Sequence, residues 1–588
     1  MFKYIIMRRI LYKNFGFICS AFALVSCGST NVDKGMPNII FILADDLGYM
    51  DVGAFAAHVT GTSTDEMFYE TPNINKLVNE GEAFSSAYVC PLSSPTRSQL
   101  LTGKYAATMG FTTALPFRDT WYMTAQNPPQ NEYIHDAIHH ADPIKIEQAW
   151  NNAKSNSAIP AGLPIDNGRK CVVLTEALEG YYSAFVGKWH VGGMGADGYQ
   201  PADRGFDEVL AYWDAGGSSH FNWRPKWEDK SKKRFPNMPQ KEWTVGKAGE
   251  DTGEKYLTDD LTVRALDFID RMSKSEDKQP FLLYFSHFAI HTPIQAKQEH
   301  IDYFEKKKTK GWNGHQDPVY AGLVKSLDES VGKILDKLDE CGIADNTLVI
   351  FMSDNGGIAG KITPKGFFTD NSPYIGGKAT VYEGGIKTPL VMRWKGHIKP
   401  GQWCDVTVDA CDIFPTLLEV GGIDPVPYYE NNKIDGRSIW SLTTDINNQT
   451  KKYPRDTFMF HYPFNVIYND PIDGYNLTPH SVIRSGDMKL IFDWHGRLYL
   501  FDIKKDPFEK KNLAADYPDI TNKMFADLMS WLEKNVQKQY WPTLNTSYKP
   551  EKESRRNYPF VNLVEVYKNG GDVAKTAIIP DMSTLVIP

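Results

Sequence analysis

Ser93-Ser94-Pro95-Thr96-Arg97 places a hydroxyl, a helix start and a guanidinium within five residues. Ser94 is a good N-cap, Pro95 suits the first helical position, and Leu100 and Leu101 supply an inward face. A helix is therefore expected with Ser93 just outside its N-terminus. Free N–H groups and the helix dipole favour an anion there, and Arg97 adds a fixed positive charge one turn in. That suits a nucleophile working on an anionic substrate, although an ordinary capped helix has the same local pattern. Asp45-Asp46 is a second candidate. Adjacent carboxylates repel unless something compensates, and a hard divalent metal is the simplest compensation; a surface Asp-Asp turn is the competing reading. Asp354-Asn355 offers a further carboxylate and an amide oxygen. Lys188 and His190 join a cation to a titratable imidazole, a pair suited to binding and deprotonating a nucleophile.

The elements that must position these groups are legible as apolar runs. Asn38 to Ala44 reads as a strand buried on both faces, and it ends at Asp45, where ligand sites of α/β sheets lie. Thr71-Pro72 opens a helix with Ile74, Leu77 and Val78 on one face. Residues 83–89 alternate as a strand that delivers the chain to Ser93. Tyr181 to Gly187 is a strand leading to Lys188, and continued extension would point Lys188 and His190 the same way. Phe281 to Phe285 leads to His287 and His291. A helix from about Pro318 to Cys341 carries a core stripe from Val324 to Leu338. Leu348 to Met352 ends in Asp354-Asn355, completing an oxygen-rich cage with Asp45 and Asp46, and Gly356-Gly357 let the backbone approach closely. Alternating strands and helices predict a doubly wound α/β domain. From about residue 450, short alternating runs predict an antiparallel meander covered by a helix with Met524, Leu528, Trp531 and Leu532. Residues 105–170 read as an insertion at the rim. His135 and His139 there have i,i+4 spacing that could hold a metal, but with no third ligand a solvated helix face is expected.

Together these motifs resemble the type I sulfatases, the formylglycine-dependent branch of the alkaline phosphatase superfamily. Ser93, Pro95, Arg97, Leu101, Thr102 and Gly103 match the family's signature, and Gly187-Lys188-Trp189-His190 matches its second. Asp45-Asp46, His291-Thr292-Pro293 and Gly376-Gly377-Lys378 fall in family order, and the resemblance covers nearly the whole mature chain. It implies a large mixed, mostly parallel sheet sandwiched by helices, with a smaller C-terminal α+β subdomain. The expected division is a leader at 1–26, a catalytic domain at 36–450 and the subdomain at 451–588. It also implies that Ser93 is oxidised to formylglycine (3-oxoalanine), whose hydrate attacks sulfur and later expels sulfate by C–O cleavage. Asp45, Asp46, Asp354 and Asn355, with the modified Ser93, would hold Ca²⁺. Arg97 and Lys188 would stabilise the nucleophile, His190 would be the base, and His291 and Lys378 would bind sulfate, one of them protonating the leaving alcohol. The family more often has Cys at the modified position, so Ser93 implies a maturating enzyme of the radical type.

Composition fits a soluble globular protein, and the N-terminus carries a targeting segment that predicts export. A chain of 588 residues with formal net charge −8 suits two unequal domains and argues against nucleic-acid binding. Lys3, Arg8, Arg9 and Lys13 precede an apolar run from Phe15 to Val25 that is too short to span a bilayer. Leu24-Val25-Ser26-Cys27-Gly28 resembles a bacterial lipoprotein box, which implies lipidation of Cys27 and a membrane-anchored, periplasm-facing or surface protein. Beyond Cys19 and Cys27 of the leader, the five other cysteines form no CxxC pair, and no disulfide is expected. The expected substrate is a sulfated glycan, with algal polysaccharides (ulvan, carrageenan, fucoidan) ahead of glycosaminoglycans. His461, the 135–140 histidines and Trp223, Trp227 and Trp243 are candidates for the sugar-binding rim. A phosphodiesterase or phosphonate monoester hydrolase on the same fold, and an unmodified glycan-binding protein, are the competing functions.

Overall fold

The computed structural model describes residues 36–115, 134–135, 159–160, 163, 171–192, 199–213, 217–221, 253–309, 311, 315–359, 368–444, 453–463, 471, 479–542 and 561–584. Its main sheet has eight strands: β1 (Asn38–Ala44), β2 (Glu82–Phe84), β3 (Tyr182–Lys188), β4 (Glu208–Trp213), β5 (Phe281–Ser286), β6 (Thr347–Ser353), β7 (Leu390–Arg393) and β8 (Gln402–Cys404). They lie in the order β8-β2-β7-β6-β1-β5-β3-β4. The central run from β6 through β1, β5 and β3 to β4 is parallel, and only β7 runs against its neighbours. Being central is what makes β1 apolar from Ile39 to Ala44. Ile39, Phe41 and Leu43 face one core, and Ile40, Ile42 and Ala44 face the other.

Helices cover both faces. The first face packs on α2 (Ser93–Thr102) and α5 (Ile413–Val420) through Leu100, Leu101, Phe414, Leu417 and Leu418. The second packs on α1 (Pro72–Glu80), α3 (Leu257–Ser273) and α4 (Pro318–Glu340). The spacing of Val324, Leu327, Val331, Ile334, Leu335 and Leu338 buries one whole stripe of α4. The stretch at 83–89 is two short strands, not one: β2 joins the main sheet, while Ala87–Tyr88 joins a separate three-stranded sheet with Lys387–Thr388 and Val408–Asp409.

The C-terminal subdomain is an antiparallel meander of β9 (Thr457–Tyr462), β10 (His480–Ser485), β11 (Met488–Asp493) and β12 (Arg497–Asp502). One face, with Ile483, Leu490, Phe492, Leu498 and Leu500, is closed by Met524, Phe525, Leu528 and Leu532 of α6 (Pro518–Asn535). The other face, with Phe460, Val482, Ile491, Tyr499 and Phe501, merges with the large core. The meander is thus buried on both sides and braced against the catalytic half. None of the five described cysteines forms a disulfide. Residues 1–35, His139, His140, Trp223, Trp227 and Trp243 lie outside the described residues. The backbone at His135 is a two-residue strand, Ile134–His135, paired with Ile159–Pro160, in place of the expected helix.

Candidate active site

Parallel pairing brings the carboxyl ends of β1 and β6 side by side, with Ala44 opposite Ser353, so Asp45-Asp46 and Asp354-Asn355 become neighbours. All four are completely buried. The loops are stitched beyond the strands. Asp45 N donates to Ala289 O at 2.9 Å, Asp354 N to Ala44 O at 3.1 Å, and Asp46 N to Asp354 Oδ1 at 3.2 Å. Ser353 Oγ accepts from Leu47 N and donates to Asn355 O, both at 3.0 Å. Asn355 Nδ2 donates to Asp46 Oδ1 at 2.8 Å. Gly356 admits no side chain: a Cβ would lie 1.9 Å from Gly384 O.

Ser93 begins α2 and is 2% exposed. Its Oγ accepts from Lys188 Nζ at 3.1 Å and lies 3.4 Å from Asp45 Oδ1 and 3.3 Å from Asn355 Oδ1. The helix starts two residues earlier than the capping pattern indicated. Leu92 holds the cap position without a side-chain bond, and Ser94 is inside the helix. Lys188 Nζ donates to both oxygens of Asp45, at 2.7 and 2.8 Å. Lys378 Nζ lies 2.8 Å from each oxygen of Asp46. Arg97 is one step back from Ser93. Its Nε and Nη2 donate to Asp354 Oδ2 at 3.0 and 2.7 Å, and its Nη1 to Lys188 O at 2.8 Å and to Ser286 Oγ. It sets the cage and the Lys188 backbone in place.

The two histidines are held differently. Extension does not continue past Lys188: His190 has φ +59°, and its Nε2 lies 2.9 Å from Leu115 O, while Lys188 reaches Ser93. His291 Nδ1 lies 2.7 Å from Thr292 O, and its Nε2 lies 3.7 Å from Asp46 Oδ2. At 17% exposure His291 is the outermost of the group, so the mouth is on the Asp46 side and Ser93 is at the bottom. His287 is buried in the second core beside Phe285, away from this cluster. His461 is also no rim residue. It is buried, with Nδ1 2.8 Å from Ser481 Oγ and Nε2 3.0 Å from Tyr540 O, so both ring nitrogens are used within the subdomain.

Burial drives the proton affinities apart. It pushes the Asp45 carboxyl well up, with Asp354 and Asp46 adding to the effect and Lys188 opposing it. For Asp46, burial is outweighed chiefly by the Lys378 ammonium, which holds the carboxyl well below its usual range. Burial also lowers Lys188 and, helped by Lys188, holds His190 well below the imidazole range. His291 is pushed down to about 3 by burial and Lys378, so it is neutral near pH 7 and is not an ion-pair partner of Asp46.

The donor set fits a hard divalent ion. Three carboxylates and an amide oxygen converge, and ligand atoms of Asp45, Asp46 and His291 lie within 4.8 Å of one another. Arg97, Lys188 and Lys378 already balance the three carboxylates, so a divalent cation would leave the pocket with two positive charges, matched to a bound anion. Sequence reasoning missed several supports: Ser286, Ser353, and Asn371, whose Nδ2 donates to the carbonyls of Gly357, Gly376 and Gly384. It also missed Lys489, which bridges Glu383 at 2.9 Å and Glu509 at 2.8 Å under the Glu383-Gly384-Gly385 turn. These contacts join residues too far apart in sequence for any motif to show.

A family profile described as Sulfatase matches residues 37–423, which contain every residue of this cage. The chain belongs to the sulfatase family. A second profile, N-sulphoglucosamine sulphohydrolase C-terminal, matches residues 376–538. N-acetylgalactosamine-6-sulfatase of Mus musculus is 32% identical over 459 residues, covering 76% of this chain and 72% of its own. A sulfatase of Formosa agariphila is 28% identical over 571 residues, covering 89% and 93%. Among solved structures, Ps i-CgsB in complex with k-i-k-neocarrahexaose superposes with TM-score 0.64 at 27% identity, covering 87% of this chain and 96% of that one. The protein is a type I sulfatase of the alkaline phosphatase superfamily, a sulfuric ester hydrolase.

Proposed function

We propose that this sulfatase removes sulfate from a sulfated glycan by a nucleophile derived from Ser93, beside a calcium ion held by Asp45, Asp46, Asp354 and Asn355. The observation that carries this reading is the position of Ser93 Oγ. It contacts Lys188 and two of the four cage residues at the closed end of the pocket. A plain serine would form a stable sulfate ester and stall. Conversion to formylglycine supplies a hydrated aldehyde with a second hydroxyl able to expel sulfate. Calcium supplies charge for the sulfate oxygens.

The chain's own groups then have distinct tasks. Lys188 Nζ stabilises negative charge on the Ser93 oxygen, and the N-terminus of α2 adds its dipole. Arg97 fixes Asp354 and the backbone of Lys188. Leu115 O is only an acceptor, so His190 carries its proton on Nε2 and presents the Nδ1 lone pair as the base. Lys378 and His291 line the mouth, bind the ester oxygens, and one of them protonates the leaving alcohol. The bulk of the sugar stays outside, because only the sulfate can reach the buried cage.

For the substrate, two relatives bear on the choice: one named for N-acetylgalactosamine 6-sulfate, and a structural neighbour bound to a neocarrahexaose. Both names denote sulfated sugars of the galactose type, and we favour a sulfated galactan of the carrageenan kind over ulvan, fucoidan and glycosaminoglycans. Export and lipid anchoring at Cys27 fit foraging on such polymers; among the described residues no helix is long and apolar enough to cross a membrane. The test is sulfate release from a panel of oligosaccharides of defined linkage, with paired aryl sulfate and aryl phosphate esters as controls. Cleavage of galactan sulfates and of the aryl sulfate, but not of the phosphate, is expected. Activity confined to the phosphate ester would overturn the reading.

A further inference from the structure

Ser94 occupies the position of the modification signature where any residue is accepted, and nothing in the capping pattern gives its hydroxyl a task beyond starting a helix. The structure gives it a different one. Ser94 is completely buried inside α2, and its Oγ accepts a hydrogen bond from Leu115 N at 2.9 Å, twenty-one residues away. The carbonyl of that same Leu115 lies 2.9 Å from His190 Nε2. The two bonds are in series through one residue: a hydroxyl beside the nucleophile holds the N–H of Leu115, and the carbonyl of Leu115 holds the imidazole.

The Leu115 carbonyl fixes what the imidazole can be. A carbonyl only accepts, so His190 must carry its proton on Nε2 while this contact lasts, and Nδ1 keeps a lone pair. Nδ1 is buried and has no hydrogen-bond partner among the described residues, so its lone pair is not engaged by them. His190 sits at φ +59°, turned away from the strand line that carries Lys188, so its ring depends on contacts outside β3 for its orientation. Thr112 and Thr113, just upstream of Leu115, are buried. The Ser94 bond is a side-chain tether at that point.

We propose that Ser94 is a positioning residue that sets the tautomer of His190 through the backbone of Leu115, and so sets the rate at which the second half of the reaction turns over. This rests on the catalytic reading above. Without the hydroxyl, Leu115 N loses its partner, the carbonyl is released, and His190 can take up the Nδ1–H form, which has no lone pair at the working nitrogen. One hydrogen bond of this kind is worth about a factor of ten.

The test uses Ser94→Ala and Ser94→Thr, both of which leave the Ser-x-Pro-x-Arg signature intact. Modification of Ser93 is quantified by mass spectrometry, and rates are normalised to it. For Ser94→Ala, kcat is expected to fall about tenfold with KM falling in parallel, kcat/KM staying within twofold, and a burst of alcohol release preceding the slowed steady state. Ser94→Thr restores kcat to within threefold. An independent readout needs no active enzyme: ¹⁵N-histidine spectra of the unmodified protein should show the Nε2–H form for His190 in wild type and in Ser94→Thr, and a mixture in Ser94→Ala. A loss of kcat/KM equal to the loss of kcat, or an unchanged tautomer, would overturn the role of Ser94. A wild-type enzyme with converted Ser93 that cleaves no sulfate ester would instead overturn the catalytic reading, and the spectra would still decide the tautomer claim.

Discussion

Replacing Arg97 by lysine keeps a charge but removes a geometry. The arginine makes two bonds to Asp354 Oδ2, at 3.0 and 2.7 Å, one to Lys188 O at 2.8 Å and one to Ser286 Oγ, at 1% exposure. An ammonium at the end of a lysine can keep the Asp354 ion pair but cannot also reach the Lys188 carbonyl from the same point. At least one bond to a charged group and one to a neutral acceptor are lost, together about 2–4 kcal/mol. The consequence is a displaced Lys188, whose ammonium must touch Ser93, and a fall in kcat/KM of about 30- to 1000-fold. The assay is sulfate release followed by ion chromatography. Because Arg97 belongs to the modification signature, the converted fraction of Ser93 is measured first and the rate divided by it. The companion variant Arg97→Met strands Asp354 as a buried, uncompensated carboxylate. It should cost about 3–5 kcal/mol in denaturant unfolding, clearly more than the lysine variant. A normalised kcat/KM for Arg97→Lys within threefold of wild type, or equal stability of the two variants, would refute this reasoning.

Three further outcomes are expected. Chelation should abolish sulfate release and lower the melting temperature, with Ca²⁺ restoring both; unchanged activity after metal analysis shows the ion gone would contradict the cage. His461 is held at about 4 by burial, below the usual imidazole value, so the folded protein binds fewer protons than the unfolded chain and stability falls as pH drops from about 6.5 toward 4. That effect is of order 3 kcal/mol at full development; His461→Gln should flatten this part of the melting-temperature profile while leaving kcat/KM on oligosaccharides within twofold, and a selective loss of oligosaccharide cleavage would return His461 to substrate binding. Lys489→Met should cost about 3–5 kcal/mol by leaving Glu383 and Glu509 buried without their shared cation, and equilibrium unfolding that shows less than about 1 kcal/mol would remove Lys489 from the brace.

The parts of this molecule legible in its sequence are those whose cause is local. β1, β5 and β6 are buried on both faces, and their unbroken apolar runs and abrupt acidic or polar ends announce both the strand and the place where a ligand binds. The stripe of α4 and the meander of β10 to β12 follow from simple periodicity. What local rules could not show was set by distant partners. Ser94 looked like a cap because serine before proline usually is one, but its hydroxyl is claimed by Leu115. His461 alternates correctly for a strand, yet alternation does not say which side is wet, and Ser481 and Tyr540 decide it. His190 leaves the strand through a positive φ that its sequence neighbours do not impose. Arg97 reads as a partner of the nucleophile from its spacing along the helix, whereas Asp354, brought in by β6, takes its guanidinium.

The most direct test is mass spectrometry of the peptide spanning Ser93, from protein made in a host that carries a radical-type maturating enzyme, alongside sulfate release by the same preparation. The expected result is a residue at 93 lighter than serine by two hydrogens, or its hydrate, with activity proportional to the converted fraction. Full activity in protein that holds only unmodified serine would contradict the proposed nucleophile.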